Sequence, residues 1–142
     1  MITQLTAKNF KGCSFSDELG KVTLYTGRNS AGKSARLETL TLACLGYVPG
    51  YSAKPADIFN LFATGNPMSV VAGNGTTMTA RQWREERGSV KYIGPEEGVT
   101  PDVALDPAAY FDLSGPERQK FLFAASGAAK AMDAKKLAEV IT

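Results

Sequence analysis

The chain contains no histidine. That absence removes Ser-His and Cys-His catalysis, and with them the commonest metal ligand. Cysteine is nearly missing too: Cys13 and Cys44 stand far apart, with no C-x-x-C pair. Two such residues cannot hold a zinc ion alone and make no disulfide framework, so they read as reduced thiols of a cytosolic protein. No apolar run approaches the ~20 residues of a membrane-spanning helix, so no membrane partner is expected. The opening stretch, MITQLTAKNFKG, lacks a charged region followed by an apolar one, and no secretory signal is expected there. Neither sign of charge dominates: 16 Lys plus Arg face 14 Asp plus Glu, a net of +2. That balance gives no argument for wholesale wrapping of nucleic acid, and it leaves room for a local basic patch.

What is present is ordinary globular material. The 142 residues suffice for one domain, and 44% hydrophobic with 21% charged residues excludes a disordered tail or a fibrous repeat. Charge is spread unevenly. Residues 1–40 carry Lys8, Lys11, Lys21, Arg28, Lys33 and Arg36 against Asp17, Glu18 and Glu38, so the positive surplus lies at the N-terminal end.

Residues 2–10 (ITQLTAKNF) lack helical spacing and read as a strand, interrupted by Gly12. Residues 22–26 (VTLYT) form a second β-prone run that ends directly at Gly27. The segment after it, through ARLETLTLACLG, carries Leu37, Leu40, Leu42, Cys44 and Leu45 at helical spacing. It reads as a largely buried helix closed by Gly46, with Pro49 preventing continuation. A short helix is expected at 55–63. Two β-prone runs flank Gly73-Asn74-Gly75, a hairpin signal, and SVKYI at 89–93 suits a further strand. Residues 94–107 read as a loop. Ser114-Gly115-Pro116-Glu117 fits a capping box opening a helix from about 115 to 126, stopped by Gly127. Asp133 could cap a last helix running to Thr142.

One motif carries chemistry. Gly27-Arg28-Asn29-Ser30-Ala31-Gly32-Lys33-Ser34 matches G-x-x-x-x-G-K-[ST] at every fixed position. The glycines permit a compact loop whose backbone N–H groups point inward, and the following helix adds its N-terminal donors, making a nest for phosphate oxygens. Lys33 would reach the β- and γ-phosphates, and the Ser34 hydroxyl would be a Mg²⁺ ligand. The context is right: a β-prone run stops at the first glycine and a helical pattern starts at the lysine. An ordinary Gly/Ser turn is the plain alternative. A dinucleotide fingerprint is excluded, because the chain has no G-x-G-x-x-G.

The first 46 residues go further. Ile2-Thr3-Gln4-Leu5, Lys8-Asn9-Phe10-Lys11, Val22 through Ser34, Leu37-Glu38-Thr39-Leu40 and Leu45-Gly46 follow one another in that order. This run resembles the N-terminal segment of the SMC/SbcC/RecF/RecN-type P-loop ATPases of the ABC class. Those begin with a strand I-x-x-L-x-x-x-N-F-[RK] and continue to G-x-N-G-A-G-K-[ST] and an L-E-A-[IL] helix. The resemblance implies nucleotide contacts for Lys11 and for Gly27, Arg28, Asn29, Ser30, Ala31, Gly32, Lys33, Ser34 and Ala35. Lys33 would be the catalytic lysine, and ATP with Mg²⁺ the cofactors. Two positions depart from the pattern: Ser30 replaces the usual second glycine and Ala35 a common Thr or Ser. Ser30 needs either a negative φ or ligand contacts that offset its strain.

In that family one chain supplies two halves of the ATPase head. The signature motif, the acidic Walker B pair and a switch histidine come from the C-terminal half, and none of them stands here. The expectation is therefore an α/β P-loop NTPase half-domain: a mixed sheet with a P-loop helix and an antiparallel hairpin layer. Residues 1–46 would be the strand, P-loop and helix core, 47–112 a hairpin and loop region, and 113–142 C-terminal helices. Implied partners are the missing C-terminal half or a second copy, a nuclease subunit, and DNA for the complete assembly. The implied location is cytoplasmic, in contact with the nucleoid. A non-hydrolysing binding module from a truncated or split gene is the competing reading. A small P-loop kinase is disfavoured, because the N-F-K strand has no role there.

Two stretches invite over-reading. Leu113 to Gln119 resembles the L-S-G-G-[QE] signature, but Pro116 has no N–H to offer a phosphate. Trp83 among Arg81, Arg84 and Arg87 invites a reading as a nucleic-acid stacking site, but Glu85 and Glu86 dilute the charge and packing is the favoured reading of a hairpin tryptophan. Neither Gln82 nor Gln119 is assigned a role.

Overall fold

The computed structural model describes residues 1–95 and 105–125. The chain divides into two compact units, Met1–Thr100 and Pro101–Thr142. The first holds β1 (Gln4–Phe10), β2 (Cys13–Glu18), α1 (Lys33–Leu45), α2 (Pro55–Phe62), β3 (Met68–Gly73), β4 (Met78–Glu86) and β5 (Ser89–Ile93). The second holds α3 (Pro107–Asp112) and α4 (Gly115–Ala125). The fold is α/β, with one five-stranded sheet in the order β2-β1-β3-β4-β5.

Alternation builds the sheet. Leu5 and Ala7 of β1, Met68, Val70 and Ala72 of β3, and Arg81 and Trp83 of β4 are all buried. Register places them on one face: Leu5 lies opposite Ala72, Ala7 opposite Val70, Val70 opposite Arg81 and Met68 opposite Trp83. Period-2 patterning thus puts the apolar side chains, with Arg81, on a single surface. α1 packs on β1, β3 and β4, and α2 on β4 and β5. Leu42, Ile58 and Phe62 close the core from the helical side. Each such side chain contributes roughly 1.5–3 kcal/mol on full burial.

Turn chemistry sets the hairpins. The Asn74 carboxamide accepts from the Thr76 and Thr77 backbone N–H groups at 2.9 and 2.8 Å, an Asx turn between β3 and β4. Arg87 and Gly88 both take positive φ between β4 and β5, as a tight type I′ hairpin requires.

Three sequence expectations need correcting. The sheet is antiparallel throughout rather than mixed. The parallel sheet of a P-loop NTPase is not formed by the described residues. The second correction explains the first: residues 22–26 make no strand. Val22 is 92% and Leu24 82% exposed, so the β-prone run has no neighbour to pair with. Third, α1 buries its leucine face only in part. Leu42 is buried and Leu40 packs half-buried against the core, while Leu37 is 63% exposed, and Ala35, Thr39, Thr41 and Ala43 are the other buried residues. Small side chains let the helix approach the sheet closely, and the Thr39 hydroxyl satisfies itself on the Ala35 carbonyl at 2.7 Å.

β2 was not legible as a strand, yet the segments at 55–62, 68–73, 78–86 and 89–93 form where expected. Gly46 closes α1 with φ 84°. Most of the expected loop at 94–107 and the helix expected after Asp133 lie outside the described residues.

In the second unit, Asp106 caps α3 by accepting from the Ala109 N–H at 3.2 Å. The expected box at Ser114 forms in a variant way. The Glu117 carboxylate accepts both the Ser114 backbone N–H (2.9 Å) and its hydroxyl (2.6 Å). These two bonds hold the Glu117 carboxyl below its ordinary pKa, the hydroxyl contributing most. Because the folded pKa is depressed, this contribution to α4 is present above the ordinary carboxylate range. It is lost as the pH falls through the lowered value. Ser114→Ala is expected to move the Glu117 pKa up toward the ordinary value, read by NMR titration of the side-chain carboxyl. An unmoved titration would show that the hydroxyl bond is not maintained in solution.

Candidate functional site

Asn9 explains how the N-F-K sequence works locally. It takes a left-handed φ of 56°, which Asn tolerates better than most residues. The register of β1 against β2 shifts at this point, between Ala7 and Phe10. Such a bulge re-aims the side chains that follow it. Phe10 turns fully into the core and stacks on Phe62 at 5.3 Å. Lys11, also at positive φ, turns to the other side. The Asn9 carboxamide donates to the Pro67 carbonyl at 2.8 Å and anchors the bulge to the start of β3.

Lys11 thereby reaches a cavity of about 360 Å³ that it lines together with Cys13, Asn29, Ser30, Gly32, Lys33, Ser34 and Ala35. The loop is tight. Gly27, Ser30 and Gly32 have φ of 150°, 69° and 79°, and the Ala31 N–H closes a turn on the Arg28 carbonyl at 3.2 Å. Positive φ at Ser30 is the strained alternative of the two that the sequence left open. Strain of this kind persists where surrounding structure or a ligand holds it. The Lys33 ammonium folds back over the loop and donates to the Gly27 carbonyl at 2.6 Å and the Arg28 carbonyl at 2.7 Å. α1 opens at Gly32 with no side-chain cap. Its first N–H groups thus meet the cavity without a competing side-chain acceptor.

All of the residues named from the motif therefore converge. Lys11, Asn29, Ser30, Gly32, Lys33, Ser34 and Ala35 line the cavity, Gly27 and Arg28 present carbonyls to Lys33, and Ala31 closes the turn. No family model, curated protein or solved structure matches the chain. The resemblance seen in residues 1–46 rests on those residues alone.

Several neighbours were not foreseen. Lys11 is paired with Glu38 of α1 at 2.7 Å and lies over the Phe62 ring. Arg36 bonds Asp17 of β2 at 2.7 Å, stacks over Phe15 and Tyr25, and reaches the Gly32 carbonyl at 3.3 Å. It ties the glycine that opens α1 to β2. The Tyr25 hydroxyl donates to Asp17 at 3.1 Å. Burial, and then that bond, raise the Tyr25 pKa, so the phenol stays neutral. In β2, Cys13-Ser14-Phe15-Ser16-Asp17-Glu18 alternates half-buried with exposed residues, which puts Asp17 on the side of Arg36 and Tyr25.

The cavity has no carboxylate in its lining, and Asp17 and Glu38 are both engaged by cations. Among the described residues no group of three His, Cys, Asp or Glu side chains could hold a metal ion. Ser34 is the residue that fits Mg²⁺. Phosphate oxygens and water would complete the shell, a pattern that this hydration-loving ion favours.

The packing reading of Trp83 holds. Trp83 is 1% and Arg81 3% exposed, both inside the core, so neither offers a stacking surface to nucleic acid. Cys44, expected in the core, is half-buried. No helix among the described residues is long and apolar enough to cross a membrane.

Proposed function

We propose that residues 1–46 bind the phosphates of ATP with Mg²⁺. We propose further that the chain is the N-terminal part of a DNA repair or recombination ATPase of the SbcC/SMC type. One observation carries the reading: the Gly27–Gly32 loop runs into an uncapped helix, and Lys33 folds its ammonium back over the loop. A cation already seated on backbone carbonyls at a helix N-terminus is poised to exchange them for phosphate oxygens. Lys11 and Asn29 would bracket the phosphates, Ser34 would hold the Mg²⁺, and the strained φ at Ser30 would be offset by the bound anion.

The remainder of the reading concerns what is missing. A P-loop NTPase half-domain needs a parallel strand leading into the loop. Val22–Thr26, outside the sheet with Val22 and Leu24 exposed, is the segment that would take that place beside a C-terminal half or a second head. A nuclease subunit and DNA would belong to that assembly, in the cytoplasm and at the nucleoid. The carboxylate-free cavity also fits the competing reading, a nucleotide-binding module without turnover.

Calorimetry of the chain with ATP in the presence and absence of Mg²⁺ tests the binding step. Saturable, Mg²⁺-enhanced binding is the expected result, and no measurable heat with either would overturn it. Turnover by the chain alone is expected to be negligible, because among the described residues no carboxylate lines the cavity to orient water. A Lys33-dependent rate of ~0.01–100 s⁻¹, the range of complete enzymes, would show that a catalytic carboxylate had been missed.

A further inference from the structure

A second cavity, of about 450 Å³, lies at the other end of α1 from the P-loop. Leu45, Pro55 and Ile58 form apolar walls, and Arg81, Trp83 and Tyr92 supply the polar groups. Arg81 is almost wholly buried. Its Nε donates to the Ala43 carbonyl at 2.8 Å, one Nη to the Cys44 carbonyl at 3.3 Å, and the other Nη to the Tyr92 hydroxyl at 2.5 Å. α1 has no basic residue in its last turn, so Arg81 supplies from β4 the cation that the helix terminus favours.

Capping does not account for the whole site. A guanidinium has five N–H bonds, and three are committed, leaving one hydrogen on each Nη. The Trp83 indole N–H is buried and has no acceptor among the described residues. Burying such donors without acceptors is costly. Among the described residues no carboxylate lines the cavity. A buried cation, an orphan indole donor and apolar walls in a pocket of ligand size form a site for an acceptor with an apolar body.

We propose that this cavity binds a small monocarboxylate, its oxygens accepting from the Arg81 guanidinium and the Trp83 indole and its hydrocarbon lying against Leu45, Pro55 and Ile58. Charge selects the monoanion. The α1 C-terminal carbonyls offset part of the Arg81 charge, so what remains balances at most one anionic charge, and a phosphate dianion is disfavoured further. The proposal is independent of the nucleotide reading, since it uses none of its residues.

Trp83 is the only tryptophan in the chain, so its fluorescence and its single indole N–H resonance report directly on the cavity. Hexanoate should change both saturably and move the indole proton downfield. Hexanamide, the same shape without charge, should bind at least about tenfold more weakly, as the loss of a charged hydrogen bond implies. Inorganic phosphate should leave both signals unchanged. By calorimetry, Trp83→Phe should weaken hexanoate binding by a similar factor. Ala53→Phe, at an exposed position in the cavity lining, should block binding with an unchanged urea midpoint, and it decides the matter if Trp83→Phe fails to fold. Absence of a saturable hexanoate response would overturn the proposal. Equal binding of hexanamide, or full binding by a folded Ala53→Phe chain, would do the same.

Discussion

Lys33→Ala is expected to weaken Mg·ATP binding by about 10- to 150-fold, with little change in folding stability. The range follows from ~1.5–3 kcal/mol for a hydrogen bond from a charged donor. The two carbonyls that Lys33 engages, of Gly27 and Arg28, belong to exposed residues. Water can replace the ammonium on them, so the fold should tolerate the loss. Calorimetry and urea denaturation on the same variant separate the two effects. Unchanged affinity in a folded variant would remove the P-loop assignment. A matching loss of stability and affinity would mean that Lys33 holds the loop rather than the phosphates.

Phe10→Ala is expected to lower stability by about 3–5 kcal/mol, a large share of the ~5–15 kcal/mol of a typical domain. Phe10 is completely buried and stacked on Phe62. The next residue bonds the Phe62 carbonyl through its backbone N–H at 2.7 Å. The ring therefore joins β1 to α2 and fixes the stem of Lys11, which lines the cavity beside the Gly27–Gly32 loop. Leu37→Ala is the matched control. Leu37 is 63% exposed, so its truncation should change stability by no more than ~0.5 kcal/mol. A denaturant midpoint that moves more for Leu37→Ala than for Phe10→Ala would contradict the observed core. It would restore the leucine face that helical spacing suggested for α1.

That contrast shows where sequence patterning stops. Spacing identified α1 and its glycine stop, because both are local: Gly32 and Gly46 need positive φ, and the residues between them suit a helix. Spacing placed Leu42 correctly and Leu37 wrongly, because burial depends on what lies opposite. Ala35, Thr39 and Ala43 are buried with Leu42, while Leu37 stays exposed. The same limit applies to Arg81. Its neighbours in the chain suggested a basic surface, whereas the alternation of β4 carries it inside with Trp83, where Arg81 caps a helix remote in sequence.

By itself the sequence determined the glycine-rich turn from Gly27 to Gly32, the helix after it, the hairpin around Asn74, the strand at 89–93 and the short helix at 55–62. Each follows from residues within a few positions of one another: glycines that permit a left-handed turn, an Asx turn at Asn74, a proline at a helix start. Only the tertiary structure decided that Lys11 reaches the same cavity as Lys33, because a one-residue bulge at Asn9 sends Phe10 and Lys11 to opposite sides. It also decided that Val22–Thr26 stays outside the sheet. A β-prone run becomes a strand only when a neighbour satisfies its backbone N–H and C=O groups, and the described residues place none beside it.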